Sequence, residues 1–317
     1  MKKIHDIIII GGGIAGMTAG LYGHRSGRDI LIIERAFFGG QIISTSEIEN
    51  YPGFTSIAGH SFASELYSQI ADMDIPHVSD DVSRIEADGD SWHIICAKGS
   101  YYCRSLIIAT GTVSRKLGLP EEEKYIGHGL SYCATCDGAF HKNKAVAVVG
   151  GGSNALEEAL YLSLLCKTVY LIHRSDRFTG EYELQRRVME TPNIEIMFNT
   201  TVTGLKGDGR LQAVETVSRP ACIENSENAS DCNNTSTSET EVTGLFVAIG
   251  QIPQNESFAS AVKLDPQGYI QAGEDCHTSA SGIFAAGDCR TKELRQLVTA
   301  AADGAVAAGE AAKYLSL

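Results

Sequence analysis

Ile7-Ile8-Ile9-Ile10-Gly11-Gly12-Gly13-Ile14-Ala15-Gly16 sets the architecture of this chain. With Asp6 ahead of it, the β-branched run reads as a strand buried on both faces. A glycine turn follows, then a helix rich in small residues from about Ile14 to Arg25, then a second strand from Asp29 to Glu34. In this strand–turn–helix setting each glycine of G-x-G-x-x-G has its own task. Gly11 permits the tight turn, Gly13 lets a pyrophosphate approach backbone N–H groups, and Gly16 lets the helix pack close to the sheet. The helix start offers partial positive charge to phosphates. Glu34, closing the second strand, is placed to accept both ribose hydroxyls. A purely structural glycine turn is the competing reading.

The pattern recurs: a strand at Lys144–Val149, a turn at Gly150-Gly151-Gly152-Ser153-Asn154-Ala155, a helix at Leu156–Leu165 and a strand at Thr168–His173. The separation is too wide for a solenoid repeat and suits two nucleotide-binding domains. Here Ala155 replaces the third glycine and His173 stands where an acid would close the unit. A missing acid with nearby arginines, Arg174 and Arg177, points to tolerance of a 2′-phosphate and hence NADP over NAD. Two solvated surface arginines are the alternative.

Three short apolar strands end in glycine: Leu106–Gly111, Leu245–Gly250 and Ile283–Gly287. They predict an α/β chain of two Rossmann-like three-layer domains, the second inserted into the first. The expected bounds are 1–114 with 244–317, and 115–243. Within the insert, Asn193 to Val217 is β-rich, with a hairpin signal at Gly207-Asp208-Gly209. Residues 219–241 are rich in Ser, Thr, Asn and Glu and read as a flexible surface loop. Cys222 and Cys232 in it read as exposed thiols or a pair, and Asn228, Asn233 and Asn234 fit a glycosylation pattern that matters only with secretion. The alanine-rich stretch Gln296–Leu315 predicts a closely packed helix.

Cys133-Ala134-Thr135-Cys136-Asp137 lies just ahead of the second glycine turn. A Cys-x-x-Cys pair with an adjacent carboxylate suits reversible disulfide chemistry, since the two sulfurs close a small ring and the carboxylate handles the proton. A helix start beside it would favour the thiolate form of one sulfur. Half a zinc site, two inert cysteines, and Asp137 as a helix cap are the competing readings. No other two of the nine cysteines share this spacing, so no second zinc half is present and no metal is expected. His128 and His141 flank the segment, and Cys289, after Asp288, reads as a packed apolar residue. With 317 residues, 43% hydrophobic content and net charge −13, the chain predicts a globular protein without nucleic-acid or membrane partners. Ile7–Ile10 is too short for a signal core, so a reducing, cytoplasmic setting is expected.

Gly11–Gly16, Gly39-Gly40-Gln41, Glu49-Asn50-Tyr51-Pro52-Gly53, Ala109-Thr110-Gly111, Ser131–Gly138, Gly150–Glu158, and Gly287-Asp288 with Arg295-Gln296 occur in one shared order. In that order and spacing the chain resembles the low-molecular-weight thioredoxin reductases over nearly its whole length. The resemblance implies a homodimer that passes electrons from NADPH or NADH through FAD and the Cys133–Cys136 disulfide to thioredoxin or a thioredoxin-like protein. FAD would lie in the discontinuous domain, against Gly11, Gly13, Ile14, Ala15, Gly16, Glu34, Gly40, Gln41, Asn50, Val82, Ala109, Thr110, Gly111, Gly287, Asp288, Arg295, Gln296 and Leu297. The inserted domain would bind the nicotinamide nucleotide through Gly150, Gly152, Ser153, Asn154, Ala155, His173, Arg174 and Arg177, and would swivel during turnover. Cys136 would be the sulfur near the flavin, Cys133 the one that attacks thioredoxin, and Asp137 the acid–base residue.

One departure is informative. Relatives using NADPH carry His-Arg-Arg-x-x-x-Arg where this chain has His173-Arg174-Ser175-Asp176-Arg177-Phe178-Thr179, so two of three arginines are replaced. At about 1.5–3 kcal/mol per charged hydrogen bond, that loss is about 3–6 kcal/mol, or roughly 10²- to 10⁴-fold in affinity, part of which Arg177 restores. NADH or reduced ferredoxin as donor is therefore the runner-up. A redox-sensing flavoprotein without turnover, and ferredoxin–NADP relatives lacking the thiol pair, rank lower.

Overall fold

The isoleucine run forms the strand Ile4–Ile10 at the centre of a mostly parallel sheet. These findings come from a computed structural model that describes residues 2–45, 47–219 and 235–316. Cys222, Cys232, Asn228, Asn233 and Asn234 lie outside the described residues. Ile7 pairs with Ile30 and Ile10 with Ile33 on one side, and Ile10 pairs with Ile108 on the other. Ile7 and Ile9 enter one core, shared with the helix Ile14–Arg25 and the C-terminal helix. Ile8 and Ile10 enter a second core with Ile85, Ile94 and Phe258. Both faces are thus covered, which is why the run has no polar alternation.

Ile283–Ala285 joins this sheet by pairing in parallel with Leu106–Ile108, while Val82–Asp88 and Ser91–Cys96 add an antiparallel edge. The helix Leu297–Tyr314 packs on Ile14–Arg25 through small residues. A Cβ on Gly304 would run into the Ala15 carbonyl oxygen, so the backbones approach as closely as glycine allows.

The chain divides into two compact units, Met1–Val113 with Ile252–Leu317, and Ser114–Gln251. The second has its own parallel sheet, ordered Ile194–Met197, Thr168–Ile172, Ala145–Val149, Gly244–Val247, Leu130–Ser131. Val146 and Val148 face one core, Ala147 and Val149 the other.

Two sequence expectations need correction. The boundary expected at 243/244 lies eight residues later, because Gly244–Val247 fills the place between Ala145–Val149 and Leu130–Ser131. An apolar strand ending in glycine looks alike whichever parallel sheet it joins. The loop expected over 219–241 contains a strand at Ser236–Glu241, paired antiparallel with Ala213–Ser218. Its residues are almost all exposed, so no hydrophobic alternation marks it, and backbone pairing holds it in place. The hairpin signal at Gly207-Asp208-Gly209 does connect two antiparallel strands, Thr200–Lys206 and Ala213–Ser218.

Candidate functional site

In the first unit the residues around Gly11 converge. Gly11 has φ +113°, and a Cβ there would strike the Ala109 carbonyl oxygen. Gly13 caps the helix Ile14–Arg25 and has no atom within 4 Å of a would-be Cβ, which leaves an open face at the helix start. Glu34 bends back to the turn, accepting the N–H of Gly12 at 2.5 Å and of Ala36 at 2.8 Å. Gly39 donates to the Gly12 carbonyl at 2.8 Å, drawing Gly40 and Gln41 to the same place. Gln41 donates to the Thr112 carbonyl and hydroxyl oxygens at 2.9 and 2.8 Å. Asn50 donates to Gln296 Oε1 at 3.1 Å, and Gln296 caps the helix that begins at Leu297. Arg295 lies over the Tyr269 ring at 4.1 Å. Thr110 donates its hydroxyl hydrogen to Asn255 Oδ1 at 3.3 Å as the chain leaves Ala109 toward Gly111. Val82 opens the edge strand, with two strands lying between it and Ile4–Ile10 in the sheet order.

Asp288 is the informative group here. Its Oδ1 is buried with no partner among the described residues, and burial, moderated by Lys292 and Arg295, raises its carboxyl above the usual range. An orphaned buried oxygen asks for a hydroxyl donor. With the open helix start at Gly13 and the carboxylate of Glu34, the set fits a dinucleotide carrying a pyrophosphate and sugar hydroxyls.

Asp303 supports that corner and was not singled out from sequence. It is 4% exposed and receives Arg290 through two bonds of 2.8 Å, Lys292 at 2.9 Å and the Gly287 N–H at 2.8 Å. Burial opposes its ionisation, but these donors outweigh it and hold the carboxyl below its ordinary value. The available signal was an acid set among small, apolar residues in the first half of the helix Leu297–Tyr314.

In the second unit Gly150 has φ +152°, and a Cβ there would meet Ala155 Cβ at 2.6 Å, so the alanine fits because its neighbour has no side chain. Gly152 starts the helix Ser153–Ser163 and is open apart from Thr179 Oγ1 at 4.0 Å. Ser153 Oγ accepts the Glu181 N–H at 3.0 Å, and Asn154 is exposed. His173 is buried against Gly151, with Nε2 3.0 Å from the Arg177 carbonyl. Burial lowers its basicity, so it shapes the turn rather than charging it. Arg174 and Arg177 are exposed, and neither forms an ion pair with a described residue. Thr179 donates its N–H to the Gly151 carbonyl at 2.8 Å, stitching the following loop to the glycine turn. The open helix start and two available guanidinium groups fit a nucleotide phosphate.

Cys133 and Cys136 form a disulfide, with S–S 2.11 Å. Cys133 caps the four-residue turn Ala134–Asp137, and the N–H of Cys136 points at its sulfur from 3.1 Å. Cys136 is exposed and Cys133 half-buried. Ser131 Oγ accepts the Cys133 N–H at 3.0 Å. Tyr132 donates to Glu122 at 2.7 Å, and the same carboxylate accepts the N–H groups of Leu117, Gly118 and Leu119. Burial disfavours the Glu122 carboxylate, but these four donors win and lower its pKa. Asp137 is half-buried and makes no capping bond to the turn that follows, which removes the support for a cap. His141 is buried beside Thr243, and His128 is exposed. Cys289 is fully buried, and burial pushes its thiol up to about 11, as a packed apolar residue requires.

The chain matches the pyridine nucleotide-disulphide oxidoreductase family over residues 5–304. It is 41% identical over 315 residues to a thioredoxin reductase of Listeria innocua, covering 99% of this chain and 95% of that one. The chain belongs to the thioredoxin reductase family. It superposes on the crystal structure of Lactococcus lactis thioredoxin reductase with TM-score 0.91 at 36% identity, covering 98% and 99% of the two chains. The T. acidophilum thioredoxin reductase gives 0.89 at 30%, with the same coverage. The chain is thus a two-Rossmann oxidoreductase of a family that uses a flavin and a nicotinamide nucleotide. Among the described residues no group of three or more His, Cys, Asp or Glu is placed to hold a metal ion. No helix among them is long and apolar enough to cross a membrane.

Proposed function

We propose that this chain carries electrons from NADPH or NADH through FAD to the Cys133–Cys136 disulfide, and from there to thioredoxin or a thioredoxin-like protein. The observation that carries the reading is the formed disulfide itself, closed on a turn whose Cys136 N–H faces Cys133 Sγ. FAD, when bound, supplies the step from a two-electron hydride donor to a disulfide. Glu34, the Gly13 helix start and Asp288 are the residues that would hold it. The Cys136 N–H stabilises charge on Cys133 Sγ after reduction, which marks Cys133 as the attacking sulfur. Asp137, exposed enough to exchange protons and free of a capping bond, hands a proton to the leaving thiolate. The reading includes a homodimer, as the family resemblance implies. Among the described residues, five buried cysteines outside the pair are unpaired thiols, which suits a reducing, cytoplasmic compartment.

Coenzyme choice follows from Ser175 and Thr179 standing in place of arginines, with Thr179 bonded to the Gly151 carbonyl. The expected result is that NADPH loses its usual advantage and that the two nucleotides bleach the flavin with rates within about tenfold of each other. Stopped-flow absorbance with NADPH, NADH and reduced ferredoxin checks this. Bleaching by ferredoxin alone would overturn it in favour of the runner-up. Asp137→Asn should lower kcat by about 10²-fold with little change in KM for thioredoxin. An unchanged kcat would leave Asp137 without a part in proton transfer.

A further inference from the structure

Glu158 carries a carboxyl that the steps above leave unused. It lies on the helix Ser153–Ser163, which packs directly against the turn Ala134–Asp137. Ala134 of the turn shares one apolar core with Ala155, Ala159 and Leu162 of that helix. Glu158 accepts the N–H of Ala134, and its Oε2 is buried with no partner. The peptide it holds joins Cys133 to Ala134, so the carboxyl lies one peptide unit from a redox cysteine.

Glu158 is half-buried, but its Oε2 is shielded from solvent without a partner, so the carboxyl is costly when ionised and better accommodated when protonated. Burial, opposed by the Ala134 N–H and reinforced by neighbouring Glu157, pushes Glu158 up to about 7. Glu157 is the charged group that acts on it. The turn brings Cys133, Cys136 and Asp137. The helix Tyr182–Glu190 packs through Leu184 and Val188, with Arg187 adjoining, and the strands behind contribute apolar side chains.

We propose that Glu158 is a positioning residue for the redox pair, tethering the Cys133–Ala134 peptide from the core side and taking up a proton when the pair is reduced. The inference rests on the reading that Cys133–Cys136 cycles. Two electrons break the S–S bond, one proton goes to Cys136 Sγ, and Cys133 Sγ remains as a thiolate facing the Cys136 N–H. The new negative charge forms on the residue whose peptide Glu158 holds, so a second proton from solvent binds the carboxyl.

The test equilibrates FAD-loaded protein in dithiothreitol buffers between about pH 6 and pH 9. Alkylation and mass read the reduced fraction, and a reduced-minus-oxidised infrared difference spectrum reads the carboxyl. A carboxylic C=O band should appear on reduction and be absent in Glu158→Gln, whose amide oxygen keeps the Ala134 tether. The parent-to-variant ratio of reduction equilibrium constants should rise about three- to tenfold from pH 9 to pH 6. A flat ratio overturns the proposal, and so does a parent spectrum without the band, which needs no variant to fold. A pair that stays oxidised in excess dithiothreitol sinks the redox reading and this one together. A pair that reduces without the band sinks this one alone.

Discussion

Cys133→Ser and Cys136→Ser each reduce thioredoxin at less than about 10⁻⁴ of the parent rate while FAD stays bound. Serine preserves size, but its oxygen neither closes a disulfide with the remaining sulfur nor forms a usable anion near neutral pH. The two variants should differ in what they accumulate. Cys136→Ser keeps Cys133 beneath its N–H donor, so it should trap a mixed disulfide with thioredoxin that nothing resolves. Cys133→Ser keeps only the exposed sulfur and should trap little. FAD retention is expected because every residue assigned to it lies in the other unit. Absorbance of bound flavin and gel analysis of thioredoxin adducts check both points. Appreciable reductase activity in either variant would refute the assignment.

Asp303→Asn is the second large effect, and it acts on stability. Asn fills the same space but leaves the buried Arg290 and Lys292 without their shared counter-charge; among the described residues Arg290 keeps one carboxylate, Glu274 at 3.2 Å, on a side chain 90% exposed. Breaking a buried ion pair from one side costs about 3–5 kcal/mol, which lowers Tm by on the order of 10 °C in a protein of this size. Flavin binding should weaken as well, since Asp303 also holds the Gly287 N–H beside Asp288. The parent's pH dependence has a defined sign. The folded-state pKa of Asp303 lies below its unfolded value, so its contribution is complete above about pH 4 and is lost as pH falls through the folded value. Asp303→Asn should remove that part of the acid sensitivity, and thermal melts at pH 7 and between about pH 2 and pH 4 read both effects. A Tm within about 2 °C of the parent would show that the cluster contributes little.

Much of this was legible in the sequence because glycine turns are local. Gly11-x-Gly13-x-x-Gly16 specifies its strand, turn and helix within a few residues, and the helix Ile14–Arg25 has the expected bounds. Cys-x-x-Cys is equally local, and its disulfide closes within one turn. What escaped depends on the sheet or on distant partners. Gly244–Val247 carries no mark of which parallel sheet it joins. Ser236–Glu241 is polar throughout, and only its pairing with Ala213–Ser218 makes it a strand. Glu122, Glu158 and Asp303 matter through backbone amides and cations that the fold brings to them, and a carboxylate looks the same in sequence whether buried or solvated.

The discontinuity of the first unit sets an order of events at the ribosome. Ile283–Ala285 must pair with Leu106–Ile108, and Leu297–Tyr314 must cover Ile14–Arg25, before the isoleucine strand has both of its covers. The inserted unit is continuous from Ser114 to Gln251, so all its strands have emerged while the first unit still lacks its last strand and longest helix. Nascent chains therefore pass through a stage in which the strands of the inserted unit can pair while Ile7 and Ile9 still lack the part of their core that Leu297–Tyr314 supplies.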